Sequence, residues 1–143
     1  MLLSHAHRFI YLKTRKTAGT SVEVLLEPLC APPGHVVKHG APETVTPFGV
    51  IGFRGTKNLV GNATFRNHMS AIAIRDLLPK EFATYARIAN VRNPYDKTIS
   101  GYHHWSRATV AEASRLASED PAKLRELFVD HLPKALIDEK DTL

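Results

Sequence analysis

The sequence predicts an α/β protein in which a small parallel sheet is flanked by helices, and two stretches carry that expectation. In the first, a β-type run over residues 9–13 passes through a basic turn into an amphipathic run over 22–26 that reads as a helix. In the second, Ala86-Arg87-Ile88-Ala89-Asn90-Val91-Arg92 reads as a buried strand that Asn93-Pro94 breaks, with Pro94 placed to open a helix running to about residue 105. Two strand-to-helix units separated by a long connection imply adjacent parallel strands with helices on the sheet faces.

The first helix is expected to end near Pro28, because the residue before a proline resists helical geometry. Residues 29–67 are rich in proline and glycine, with only Val36-Val37 and the run 48–53 resembling short strands. A connection of that length in a compact domain points to a functional loop region. Ser70 is a candidate N-cap for a helix over 70–78, whose Ile74, Leu77 and Leu78 form an apolar face and which Pro79 follows. Ile99, Tyr102 and Trp105 recur at helical spacing in the helix after Pro94. Thr109-Val110-Ala111-Glu112 forms a capping box, and Asp120-Pro121 is an N-cap followed by proline at the first helical position. Helices are therefore expected over about 110–118 and 121–131, and no clear structure after Pro133.

At 143 residues the chain is expected to be one domain, 1–143, large enough for a core without disulfides. The single cysteine, Cys30, excludes an internal disulfide and a multi-cysteine metal site. None of the eight histidines forms a ligand pair on a helix, and His103-His104 are adjacent and point apart, so no metal site is expected. No apolar run approaches the roughly 20 residues of a membrane span, and the N-terminus lacks the apolar core of a signal peptide. A cytoplasmic location without membrane attachment is the expectation. The formal charge of +5 favours an anionic ligand, whereas the scatter of basic residues argues against nucleic acid.

The turn in the first unit supplies the chemistry for such a ligand. A strand feeding a helix through a short turn exposes first-turn N–H groups that have no partner within the helix, and the helix dipole favours negative charge there. Gly19 lets the backbone approach a ligand closely, Thr17, Thr20 and Ser21 add hydroxyl donors, and Lys16 adds a full charge. The same pattern also describes an ordinary βα unit in which Thr or Ser caps the helix. The second unit offers another cation, Arg92, and Ser100 two turns into the following helix.

Here the chain resembles the sulfotransferases that use 3′-phosphoadenosine 5′-phosphosulfate (PAPS), and most closely their carbohydrate branch, the heparan and chondroitin sulfotransferases. Lys16-Thr17-Ala18-Gly19-Thr20-Ser21 looks like the 5′-phosphosulfate loop of that branch. Arg92-Asn93-Pro94-Tyr95-Asp96-Lys97 with Ser100 looks like its 3′-phosphate motif. The resemblance covers about residues 8–105, leaving 106–143 helical. It implies a P-loop-like three-layer fold, and a chain shortened at its C-terminus, since nothing after Leu136 looks like the family's closing portion. It further implies that PAPS is the sulfuryl donor, without a metal, and that the acceptor is a hydroxyl on a carbohydrate or small metabolite. Cofactor contacts are expected from Arg15, Lys16, Thr17, Ala18, Gly19, Thr20, Ser21, Arg92 and Ser100.

Sulfuryl transfer to a hydroxyl needs a donor for the departing bridging oxygen, a general base for the acceptor, and a clamp for the 3′-phosphate. Lys16 suits the first. His68, just before the Ser70 helix, suits the second, with a rate rising near pH 6.5 if its imidazole is unperturbed. Arg92 and Ser100 suit the third. A P-loop kinase or NTPase fits less well, because its lysine follows the glycines, whereas Lys16 precedes Gly19, and because its metal-holding Asp is replaced by Arg92 at the expected strand end. The remaining alternative is a domain that binds PAPS, its product PAP or a sulfated glycan without turnover.

Overall fold

The computed structural model describes residues 1–55, 62–105, 115–116 and 118–137. The chain packs as two compact units, Met1–Val91 and a second that begins at Arg92. The first unit holds β1 (Leu2–Ser4), β2 (Phe9–Leu12), α1 (Gly19–Leu26), a 3-10 turn (Glu27–Cys30), β3 (Thr44–Thr46), β4 (Gly49–Ile51), α2 (Ala71–Leu77), α3 (Pro79–Thr84) and β5 (Ala86–Ala89). The second holds α4 (Pro94–Trp105) and α5 (Pro121–Ile137).

The fold is α/β, with one five-stranded sheet in the order β3-β4-β1-β2-β5. The pairing of β2 with β5 is parallel, Phe9 opposite Ala86 and Leu12 opposite Ala89. The rest of the sheet corrects the expected parallel one, because β1 runs antiparallel to both β2 and β4, and β3 antiparallel to β4. The element that reverses the sheet, β1, has no alternating signature. Its three residues are all buried because a strand sits on either side and both faces are covered.

Strand alternation sorts the core into two layers. Leu2, opposite Tyr11 on one side and Ile51 on the other, faces a cluster with Phe9, Cys30 and Ala31, against which Val22 and Leu26 of α1 pack. Leu3, opposite Ile10 and Val50, faces the other way, with Met1 and Ile74, beneath Met69, Leu78, Phe82 and Tyr85. Thus α1 covers one face, and α2 and α3 the other. Gly49 is required by close approach, since a Cβ there would stand 2.0 Å from the Leu3 carbonyl oxygen. Burial pushes the Cys30 thiol up to about 12, with the Glu27 charge adding to it, so it sits in the core as a protonated thiol.

Other boundaries differ in ways that packing explains. Val36-Val37 is not a strand, and the long connection instead contributes the β3–β4 hairpin and an isolated bridge between Ala41 and Arg54. Ser70 caps α2 as expected, its Oγ accepting from Ala73 N at 3.2 Å. Pro79 does not merely end that helix but opens α3. The strand expected over 86–92 stops at Ala89 and is exposed along its length, because β5 is the sheet edge. In the second unit, Asp120 Oδ1 accepts from Lys123 N at 3.0 Å as the expected cap, and the helix runs through Pro133 to Ile137. Tyr102 of α4 meets Phe128 of α5 edge-on, with ring centroids 5.4 Å apart. Most of the helix expected over 110–118 lies outside the described residues. Among the described residues, no helix is long and apolar enough to cross a membrane.

The helix α1 has an inverted face. Leu25 is 74% exposed, whereas Glu23 and Glu27 are fully buried. Glu23 Oε1 accepts from the Met1 amino group at 3.2 Å, and Oε2 from Lys13 Nζ at 2.6 Å. Arg54, itself 2% exposed, lies with Nη2 2.5 Å from Glu27 Oε2, close enough for an ion pair but not aligned as a hydrogen bond. Its Nη1 acts on Glu23 only through charge, at 3.9 Å. Arg54 also donates to the Lys38 carbonyl and, from Nε at 2.9 Å, to the His39 carbonyl, while His35 Nε2 sits 2.7 Å from Glu27 Oε1. Removing one partner of a buried pair leaves an uncompensated charge, which costs about 3–5 kcal/mol. Glu23→Gln is therefore expected to lower the unfolding free energy by about that amount, and Leu25→Ala by less than about 0.5 kcal/mol. Urea unfolding of the two variants checks the contrast.

Candidate functional site

The residues between β2 and α1 form a loop held from three sides. Thr14 Oγ1 donates to the Asn90 carbonyl at 2.8 Å and lies 2.7 Å from Thr17 Oγ1. Asn90 Nδ2 donates back to the Thr17 carbonyl at 3.4 Å, so the chain just beyond β5 is fastened to the loop. Parallel pairing of β2 and β5 makes this meeting possible, since both strands end on the same rim.

Within the loop the backbone turns through two left-handed residues, Lys16 (φ 57°) and Ala18 (φ 61°). Ala18 is the N-cap of α1, and no side chain caps that helix. An alanine has no oxygen to offer, so the cap residue's side chain accepts from none of the first-turn N–H groups. The Ala18 carbonyl takes up the Ser21 and Val22 N–H groups at 3.0 and 3.3 Å, leaving those of Gly19 and Thr20 as the earliest helical donors. Gly19 is required beneath the loop, because a Cβ would stand 2.7 Å from Lys13 Cγ and 3.3 Å from the Tyr11 hydroxyl. That hydroxyl is buried without a hydrogen-bond partner, and burial together with Glu23 pushes its pKa up to about 12.

His68 comes to the same loop from the other end of the unit's sequence. Its Nδ1 lies 3.3 Å from the Lys13 carbonyl oxygen. A carbonyl can only accept, so Nδ1 carries the proton in this contact and Nε2 keeps the lone pair. His68 is also left-handed, at φ 56°. Of the four non-glycine residues with positive φ among the described residues, three belong to this site, and the fourth, Arg8, to the β1–β2 turn. Each such residue costs on the order of 1–3 kcal/mol, and strain of this kind collects where function requires it. Burial, followed by the charges of Lys13 and Arg15, lowers the His68 pKa to about 4, so the ring is neutral at physiological pH.

Comparison of the chain with protein-family models, curated proteins and solved structures gives no match. The site therefore rests on its own geometry.

The expected residues divide between the units. Arg15, Lys16, Thr17, Ala18, Gly19, Thr20, Ser21 and His68 belong to the first, and the structure gathers them around the β2–α1 loop. Arg92 and Ser100 belong to the second. Arg92 lies three residues past the end of β5 rather than at the strand terminus, and is exposed; Ser100 is half-buried within α4. Sequence reading missed Lys13, Thr14, Asn67 and Asn90. Lys13 could have been found from the spacing of Thr20, Glu23 and Glu27, which puts three polar groups on one face of α1. The two asparagines carry no such signal.

The His68 shift has a consequence for stability. Its folded pKa lies below the unfolded value of about 6.5. The unfolded chain thus binds more protons between the two values, and the neutral ring's contribution is complete above about pH 6.5 and lost as pH falls towards 4. His68→Asn, whose side chain tolerates positive φ, is expected to show a smaller drop in urea midpoint between pH 7 and pH 4.5 than the wild type. Equal drops would contradict the assignment.

Proposed function

We propose that the chain is a PAPS-dependent sulfotransferase with a P-loop-like arrangement at the β2–α1 loop. The observation that supports this most directly is the uncapped N-terminus of α1, reached through a strained loop that carries Lys16. Backbone donors that receive no acceptor from the cap side chain, a helix dipole and an adjacent ammonium suit the terminal anion of a phosphosulfate. Gly19, with no room for a Cβ above the Lys13 stem and the Tyr11 hydroxyl, lets the start of α1 sit close against the residues beneath the loop.

In this reading the Gly19 and Thr20 N–H groups bind and orient the phosphosulfate, and the Thr17, Thr20 and Ser21 hydroxyls are at hand to assist. Lys16 neutralises the charge that grows on the bridging oxygen as the sulfuryl group departs. His68, with Nδ1 committed to the Lys13 carbonyl, offers Nε2 to take the proton of the acceptor hydroxyl. Arg92 and Ser100 keep the role of 3′-phosphate ligands that the resemblance assigns to them. The acceptor class, a carbohydrate or small-metabolite hydroxyl, rests on the resemblance alone.

One observation favours a second reading, a domain that binds the nucleotide or a sulfated glycan without turnover. A histidine lowered to about 4 is a weak base, and proton abstraction is most effective with a pKa near the working pH. Turnover separates the two readings, because both bind nucleotide.

Titration calorimetry is expected to show PAP binding more tightly than 5′-AMP, and Arg92→Ala narrowing the difference. A charge-assisted hydrogen bond contributes about 1.5–3 kcal/mol, so the loss is on the order of tenfold to a hundredfold. Equal wild-type affinity for the two nucleotides removes the 3′-phosphate assignment. In a mass-spectrometric transfer assay with PAPS and a panel of hydroxyl acceptors, Lys16→Ala is expected to impair both binding and rate. His68→Asn is expected to spare PAPS binding while slowing transfer by about 10²–10⁴. The free enzyme's rate is expected to rise with pH through about 4, the acidic limb of its pH–rate profile, rather than near 6.5. Nucleotide binding without transfer to any acceptor selects the second reading.

A further inference from the structure

Lys13 has no role in the chemistry described above, yet its ammonium has three polar partners beside the loop. It follows β2 directly and is 5% exposed. Its Nζ donates to Thr20 Oγ1 at 3.0 Å, in the first turn of α1, and to Asn67 Oδ1 at 3.3 Å, the residue before His68. The same Nζ sits 2.6 Å from Glu23 Oε2, while the Lys13 carbonyl holds His68 Nδ1. One residue thus touches the start of α1 and the distant 67–68 segment through both side chain and backbone.

We propose that Lys13 is a positioning residue that joins the anion-binding turn and His68 into a single rigid unit, with the buried Glu23 carboxylate holding its ammonium in place. An ammonium has three protons to give, and Thr20, Asn67 and Glu23 are three acceptors. Lysine satisfies all of them at once, and its stem fills the space beneath Gly19 where a Cβ would collide with it. The charges around this centre are fixed from several elements. Glu23 faces Lys13 from α1, with Arg54 and the Met1 amino group on the same carboxylate, and Arg15 joins Lys13 in acting on His68. Burial of the ring, followed by the Lys13 and Arg15 charges, keeps His68 neutral, with its lone pair on the nitrogen that does not face Lys13. This inference shares the loop and His68 with the proposed function, but it concerns their mutual placement and can be read without any ligand.

The test is NMR on the ligand-free full chain, following backbone amides and the histidine ring protons with pH. Lys13→Met is expected to move the amide signals of both 19–21 and 66–69, and to raise the His68 midpoint by about one pH unit or more towards the ordinary histidine value. Where that variant fails to fold because Glu23 has lost its partner, Lys13→Met combined with Glu23→Gln removes both charges and is expected to give the same two effects. Changes confined to one of the two segments, or an unmoved His68 midpoint, overturn the proposal. Calorimetry with PAP on wild-type protein separates this from the function. Coupled shifts without PAP binding retain the positioning role and remove the nucleotide site, whereas PAP binding with uncoupled segments does the reverse.

Discussion

The Lys13–Glu23 ion pair is the interaction on which the first unit depends. Both groups are out of water, and the cost of that is offset only because each is well supplied with partners: hydroxyl, amide and carboxylate on the lysine, and Lys13, Arg54 and the Met1 amino group around the carboxylate. Through Glu23 and Glu27 the pair extends to Arg54, and through Arg54 to the carbonyls of Lys38 and His39. The long connection between α1 and α2 is thereby tied to the helix by polar contacts. A buried network of this kind specifies a geometry more strictly than apolar packing does, because a displaced partner leaves a charge without compensation.

The network also explains where the strained backbone lies. Lys16, Ala18 and His68 adopt left-handed conformations in a region whose flanks are held by hydrogen bonds donated by Thr14 and Asn90 and accepted by Asn67. Local strain persists only where the surroundings over-determine it. The strain gives a turn whose cap residue offers no side-chain acceptor to the helix, unlike an ordinary Ser- or Asp-capped helix.

The electrostatics of the site lean towards anion binding. Lys13 and Arg15 act on His68 in the same direction as burial, all three disfavouring the imidazolium. An anion bound at the loop would relieve part of that field and raise the basicity of His68. In the proposed function, this would couple the basicity of His68 to occupancy of the turn. Binding alone and catalysis draw on the same residues and differ in how far that relief extends.

Much of the local structure was legible in the sequence. The β2–turn–α1 unit, the Ser70 cap, the opening of α4 at Pro94 and the Asp120 cap follow from short-range rules, in which a side chain acts on backbone a few residues away. The parallel pairing of residues 9–12 with 86–89 followed from the strand-to-helix order. Tertiary structure decided the rest. The strand β1 has too few residues for a periodic signal, and it is a strand because β2 and β4 supply partners on both sides. The connection over 29–67 yielded a hairpin whose register rests on Gly49 lying against the Leu3 carbonyl. Glu23 of α1 and Glu27 of the turn after it point inward alongside Val22 and Leu26, while Leu25 points outward, because Lys13 and Arg54 wait beneath the helix. A carboxylate and its cation can be far apart in sequence and mutually required in space, and periodicity within one element cannot report that pairing.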